Sequence, residues 1–166
     1  RYFETQKKTS SRSERHQAFH NMGNVSMEQK DYGQAVEAYK NALRNNPADE
    51  ETRYNYALAK KMLEKEKQKG FILYSINVIR DAFLLNYNLR ELTSFQSQTD
   101  FNINKLAPFV HHLNIKKMVL LFEETHHYLE RNASAKMVFT DLCLQLTRLI
   151  HIKKESDLEN TKKLDE

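Results

Sequence analysis

The 166-residue sequence contains very little glycine and proline, with 3 Gly and 2 Pro in the whole chain. Average usage is about 7% for glycine and about 5% for proline. Both residues make the tight turns that sandwiches, barrels and glycine-rich nucleotide-binding loops need, so these structures are not expected. The chain is instead rich in Lys, Leu, Asn, Glu and Ala, which suits helices joined by short polar connections. The composition therefore predicts an all-α fold.

Cysteine and long apolar runs are scarce as well. The single cysteine, Cys143, excludes an internal disulfide and any zinc site built from several cysteines. It lies among leucines, so we expect a buried, inert structural thiol rather than a nucleophile. The longest apolar run, Met118 to Phe122, is far shorter than the roughly 18 residues of a membrane span. The chain opens at Arg1 without an initiator methionine, which predicts a piece of a longer protein.

The positive charge lies in the first part of the chain, over residues 1–69, but neither half has a dense stripe of one sign. The net charge is +4, and the Lys pairs alternate with Glu and Gln, as on a solvated helix face. Direct contact with nucleic acid is therefore not expected. Two histidine pairs, His111-His112 and His126-His127, cannot each chelate one metal ion, because adjacent residues on a helix point about 100° apart. No metal site and no cofactor are expected.

A two-helix pattern is visible over residues 19–47. Its small and apolar residues recur at helical spacing: Phe19, Met22, Gly23, Ala35, Tyr39, Ala42 and Pro47. Gly23 and Ala35 would let two antiparallel helices approach closely, and the turn between these helices is expected at residues 30–33. Pro47 should end the second helix at Asn46.

This pattern resembles the tetratricopeptide (TPR) signature, a unit of about 34 residues. One full repeat, Phe19–Pro47, has partial neighbours, so residues 1–64 are expected to form a TPR segment. The helix predicted from Glu50 to Glu64, capped by Asp49, would open the next repeat. More narrowly, residues 14–64 resemble the TPR protein of the Bat aerotolerance family through segments 20–24, 38–40, 43–47 and 51–59.

The TPR resemblance also implies a binding surface. In that family, Asn and basic side chains on the concave face bind an extended peptide. The positions that match this groove are His20, Asn21, Asn24, Tyr54 and Asn55. His20 stands where clamp-type members often place Lys, which leaves peptide binding as the expectation rather than carboxylate capture. An equally weighted alternative is that Asn21 and Asn55 only form hydrogen bonds between neighbouring helices.

The second half has the pattern of a helical bundle. Its apolar faces and polar breaks predict one long helix ending at Asn86-Tyr87-Asn88, followed by helices over Asp100 to Val110, Ile115 to Glu130 and Ala133 to Ile152. Asn114 and Asn132 are expected to cap the last two helices. Residues 153–166 read as a polar tail.

Residues 65–152 resemble the C-terminal collar domain of the delta prime subunit of the bacterial DNA polymerase III clamp loader. The most specific match is the motif from Glu130 to Phe139. In that family the domain is a helical bundle that joins subunits into a ring, so the resemblance implies an assembly role for Arg131, Asn132, Lys136 and Phe139. The family's ATPase-fold domains and the Gly-x-x-x-x-Gly-Lys loop are absent from this sequence, and no enzymatic activity is expected.

These observations predict a non-catalytic interaction and assembly protein with a TPR segment followed by a helical bundle. If the collar resemblance governs, the partners are clamp-loader subunits in DNA replication in the bacterial cytoplasm. The alternative is a TPR scaffold of an envelope or stress-tolerance complex, with the bundle as a structural cap. The two resemblances meet between Glu64 and Gly70. We interpret this meeting point as the junction of a natural or engineered fusion.

Overall fold

The computed structural model describes residues 11–94 and 101–152. These residues form α-helices and short 3₁₀ turns and contain no strand, which confirms the all-α prediction. The helices are α1 (Arg12–Glu28), α2 (Tyr32–Asn45), α3 (Glu50–Asn86), α4 (Ile103–Leu106), α5 (Ile115–Glu130) and α6 (Ala135–Ile150). None of these helices is both long and apolar enough to cross a membrane.

The chain divides into two compact units, Arg1–Lys67 and Gln68–Glu166. The division falls inside α3, so the predicted separate helix ending at Glu64 is wrong: α3 continues without a break. The physical reason is that residues 64–70 contain no proline, and a single glycine such as Gly70 costs a helix only about 1 kcal/mol. Gly70 therefore does not interrupt the helix, although the division between the two units, after Lys67, falls close to it.

Unit 1 is built on the close packing of α1 against α2. Ala35 and Tyr39 of α2 form the core of this unit together with Ala59 of α3, and all three side chains are buried. The Tyr39 ring lies against Gly23, and its hydroxyl donates a hydrogen bond to Asn24 Oδ1 at 2.7 Å. A tight helix crossing at Gly23 and Ala35 is thus confirmed.

Three helices end on a residue other than glycine in the left-handed conformation. Lys30, Asn88 and Asn132 have φ angles of 60°, 59° and 60°. Each donates its N–H to the carbonyl three residues earlier, and the following N–H reaches back five residues, as in a Schellman end. The turn between α1 and α2 is therefore made by Lys30, whereas Gly33 lies inside α2. Asn132 does not cap α6 as predicted, because it ends α5.

Unit 2 contains the larger core. Its buried apolar residues come from α3, α5, α6 and the segment between α3 and α5: Ile72, Val78, Ile79, Ala82, Ile103, Val110, Met118, Leu121, Phe122, Leu129 and Leu142. The bounds predicted for α5 agree with the structure. The helix predicted over Asp100 to Val110 is wrong, because only Ile103–Leu106 is α-helical and Pro108 lies in a 3₁₀ turn. Asp100 itself lies outside the described residues, as does the predicted tail over 153–166.

Asn114 stands at the start of α5, as predicted, but its side chain does not cap that helix. Its Nδ2 donates to Phe109 O at 2.8 Å and to Leu149 O at 3.0 Å, and its Oδ1 accepts from His111 N at 2.9 Å. The His111 ring nitrogen Nε2 lies 3.0 Å from Ile152 O. Asn114 and His111, just before α5, thus reach the carbonyls of Leu149 and Ile152 at and just beyond the end of α6, and Leu149 O also accepts from the backbone N–H of Ile152.

The contrast between Gly23 and Gly70 gives a test of this packing. We expect Gly23→Ala to lower the free energy of unfolding by about 1–2 kcal/mol, because the overpacking cost exceeds the gain in helix propensity. The added methyl group would enter the ring of the buried Tyr39. Urea denaturation followed by circular dichroism measures the change.

Gly70→Ala is the matched control. Gly70 is helical, and a methyl group there meets no atom within 4 Å. This change should raise stability by up to about 1 kcal/mol. Equal effects of the two substitutions would contradict the close crossing at Gly23.

Candidate functional site

His20 of the predicted groove is held inside unit 1. Its side chain is buried, and its Nδ1 lies 2.6 Å from Thr52 Oγ1. The Thr52 hydroxyl donates its hydrogen to Asp49 Oδ2 at 2.5 Å, so the oxygen is left to accept from His20, whose Nδ1 must carry the hydrogen. His16 also reaches this carboxylate, with its Nε2 2.8 Å from Asp49 Oδ2. The network ties α1 to the start of α3.

Asp49 is the centre of this network and caps α3 as predicted, since its Oδ1 accepts from Glu51 N at 3.1 Å. The pKa of the Asp49 carboxyl is lowered, first by the hydrogen bond from the Thr52 hydroxyl and further by the backbone N–H groups and by His16. Each of these contacts favours the ionised carboxylate. Asp49 is thus an ionised side chain with a structural role, because its hydrogen bonds join α1 to the start of α3.

The other predicted groove residues have separate surroundings. Asn21 Oδ1 accepts from Gln17 Nε2 at 3.0 Å, within α1, whereas Asn24 forms the interhelical bond with Tyr39 described above. Tyr54 is 70% exposed, and Asn55 is half-buried. The groove residues are therefore divided between packing roles and an exposed aromatic ring on α3.

The collar motif also contains residues with different roles. Glu130, which opens the motif, pairs with Lys69 at 2.8 Å, and the hydrogen bond from Lys69 lowers the pKa of the Glu130 carboxyl. Arg131 and Asn132 form the exposed end of α5, and Lys136 is exposed in the first turn of α6. Phe139 is half-buried, with its ring centroid 6.0 Å from that of Phe71. Only Phe139 of these residues lines the apolar cleft of unit 2.

That cleft has a volume of about 510 Å³. Its lining contains no charged side chain and consists of Phe71, Tyr74, Ser75, Val78, Ile79, Phe101, Leu106, Val110, Met118, Phe122, Phe139, Leu142, Cys143, Leu146 and Ile150. The hydroxyl of Ser75 donates to Phe71 O at 2.8 Å. The cleft is therefore suited to an uncharged, apolar occupant.

Several lining side chains remain open to solvent at the edge of the cleft. Phe71, Tyr74 and Phe101 are 54%, 46% and 46% exposed.

Cys143 is exposed too, so the prediction of a buried thiol is wrong. The reason is that the leucines beside Cys143 in sequence cover different faces of α6, and position 143 opens into the cleft. The sequence did not predict the cleft. The only sign of it in the sequence is that the apolar faces of α3 and α6 are wider than one helical stripe.

Within residues 11–94 and 101–152, no three His, Cys, Asp or Glu side chains are grouped so that they could hold a metal ion. In the network of His16, His20 and Asp49, the two histidine side chains are almost buried, whereas the Asp49 side chain is partly exposed.

Comparison with protein-family models, with curated proteins and with solved structures finds no match for this chain. Its function is therefore inferred from the chemistry of its own residues. The most informative feature is the uncharged cleft of unit 2, since a large apolar surface open to water is a common mark of a binding site.

The charge on Asp49 should make unit 1 sensitive to acid. Because its pKa is lowered on folding, Asp49 stabilises the fold above its unfolded pKa of about 3.9. This stabilisation is lost as the pH falls through the lower pKa that Asp49 has in the folded state. We expect Asp49→Asn, which retains a capping side chain, to cost about 1–2 kcal/mol near neutral pH.

The measurement is a series of urea denaturations of both proteins between neutral pH and pH about 3, below the unfolded pKa of aspartate. The stability difference between the native chain and the Asp49→Asn variant should shrink towards the acid end. A constant difference across the series would show that the charge of Asp49 does not support the fold.

Proposed function

We propose that this chain is a non-catalytic interaction and assembly protein that docks a partner through the cleft of unit 2. The observation that carries the proposal is the combination of a cleft of about 510 Å³ with an uncharged lining and exposed aromatic side chains at its edge. Aromatic residues are enriched in protein interfaces, whereas a small-molecule pocket buries most of its ligand surface. An open cleft with an aromatic edge is therefore more typical of a protein interface than of a small-molecule pocket.

The occupant that this geometry favours is the apolar face of a helix from a partner subunit. The cleft is formed between helices, and an amphipathic helix places apolar side chains at every third or fourth position into such a groove. With no charge in the lining, a charged side chain inserted there would lose its hydration without compensation. The docking face of the partner must therefore be apolar.

The finer proposal is that the partners are clamp-loader subunits and that the process is bacterial DNA replication. It rests on the sequence resemblance of residues 65–152 to the delta prime collar domain. The cleft supports it in one respect, because Phe139 of the most specific motif lines the cleft. Lys136 from the same motif is exposed, so it remains accessible to a partner.

Two neighbouring positions on α6 provide the test. Cys143 and Leu144 are both exposed, but only Cys143 lines the cleft. We expect Cys143→Glu to weaken association of the full chain with purified clamp-loader subunits by at least about 30-fold, because the new charge would be buried against apolar surface. Surface plasmon resonance measures the affinity.

Leu144→Glu is the control and should bind within a factor of about two of the native chain, since changes at exposed sites away from a contact are small. Binding by the native chain that neither variant disturbs would exclude the cleft as the docking site. No binding by the native chain would exclude the clamp-loader proposal.

A second candidate function, a TPR scaffold that binds a peptide, is favoured by one observation. Tyr54 on α3 is 70% exposed and Leu58, one turn later, is 37% exposed. If this surface binds peptides, Tyr54→Ser should abolish enrichment of clones from a displayed peptide library while Cys143→Glu leaves it intact. The reverse pattern would assign peptide binding to the cleft instead.

A further inference from the structure

Unit 2 has a second concave surface, the α5–α6 groove, with a volume of about 310 Å³. It shares no lining residue with the cleft. Unlike the cleft, it is lined by charged as well as apolar side chains, which include Lys117, Leu120, Leu121 and Glu124 of α5 and Arg148 and Leu149 of α6. A partner bound at this groove therefore does not use the lining of the cleft.

The charges on the exposed side of α5 lie in two blocks of opposite sign. Lys116 and Lys117 are in the first turn of the helix, and Glu123 and Glu124 follow seven residues later. Seven residues span about 10.5 Å of helix, which is too far for the contacts that charges three or four residues apart can make. Accordingly, within residues 11–94 and 101–152, none of these four side chains has a hydrogen bond or an ion pair.

The stability of the helix itself does not explain this arrangement. Lysines in the first turn are unfavourable, because they lie at the positive end of the helix dipole. Other exposed charges of the chain do pair along a helix, as Lys40 Nζ does with Glu37 at 3.2 Å and Arg53 with Glu50 at 2.6 Å. The two blocks on α5 are therefore available to the charges of a partner.

The order of these charges makes α5 complementary to a second copy of itself. When two identical helices lie antiparallel about a twofold axis, each contact between two positions occurs twice, once in each direction. If the axis passes between Leu120 and Leu121, each Lys117 faces Glu124 of the other copy. The same axis relates Leu113, in the turn before α5, to Tyr128, and both of these side chains are exposed. One register thus matches the charged and the apolar positions together.

We propose that the chain forms a symmetric dimer in which the α5 helices of two copies pack antiparallel along the α5–α6 groove. Leu120 lies between the two charge blocks, is 47% exposed and supplies the apolar centre of the contact. Arg148 adds to the positive end, because the end of α6 lies beside the start of α5, where Asn114 donates to Leu149 O at 3.0 Å. This dimer goes beyond the proposed docking function, which belongs to the cleft.

Charge reversal at either end of the contact provides the test. Lys117→Glu and Glu124→Lys each convert two attractive pairs into two repulsive pairs, because the twofold axis places every substitution at two contacts. We expect each variant of the full chain to dimerise about 10-fold more weakly than the native chain. Sedimentation equilibrium measures the dissociation constant. Circular dichroism checks that the variants keep their helices, since both positions are exposed.

A mixture of the two variants distinguishes this dimer from other modes of association. In a heterodimer of Lys117→Glu with Glu124→Lys, positions 117 and 124 again carry opposite charges at both contacts. The mixture should therefore associate about as strongly as the native chain, although each variant alone is weakened. Added salt should weaken the native dimer and the heterodimer alike, because their charge pairs lie at an exposed surface.

Lys61→Glu is the control, because Lys61 is an exposed residue of α3 in unit 1 and the change in net charge is the same. It should leave dimerisation unchanged, and equal weakening by this variant would overturn the α5 contact. A native chain that stays monomeric, or a dimer that neither α5 variant weakens, would overturn the proposal. A mixture that associates no better than its separate components would overturn the antiparallel register.

Discussion

The carbonyl groups at the end of each helix need hydrogen-bond partners, and this chain must supply them almost without glycine. Lys30, Asn88 and Asn132 adopt the left-handed conformation that glycine usually takes, at a cost of about 1–2 kcal/mol for a residue with a side chain. The two backbone hydrogen bonds that close each end offset part of this cost, since each contributes about 0.5–1.5 kcal/mol. The positions of the turns, and with them the packing of the helices, depend on these three ends.

Side chains from neighbouring segments add hydrogen bonds to further helix ends. In unit 1, Asp49 caps α3 and accepts from Thr52 and His16. In unit 2, Asn114 donates to Leu149 O at the end of α6. Each contact satisfies a helix terminus and at the same time fixes the separation of two elements. His16 and His20 belong to this network in unit 1, so His20 has a packing role.

The sequence was sufficient for the fold class, for α5 and for the close crossing at Gly23, because each depends on a local pattern of apolar or small residues. It was insufficient where a tertiary contact decided the outcome. Asn114 has the right residue type for a cap, yet its amide satisfies carbonyls at both Phe109 and Leu149. The exposure of Cys143 depends on which helices flank α6, and no local pattern around position 143 encodes that.

The cleft and the core of unit 2 share side chains, so binding in the cleft and stability of the unit are coupled. Phe122, Met118 and Leu142 belong both to the core and to the lining of the cleft. A partner that fills the cleft removes the remaining apolar surface of the same side chains from water, which stabilises the folded state in proportion to occupancy. Core positions therefore cannot be changed to test binding without changing folding as well. The edge of the cleft can be changed, because Cys143 and Phe101 are exposed in the folded chain, and binding there is separable from the stability of the unit.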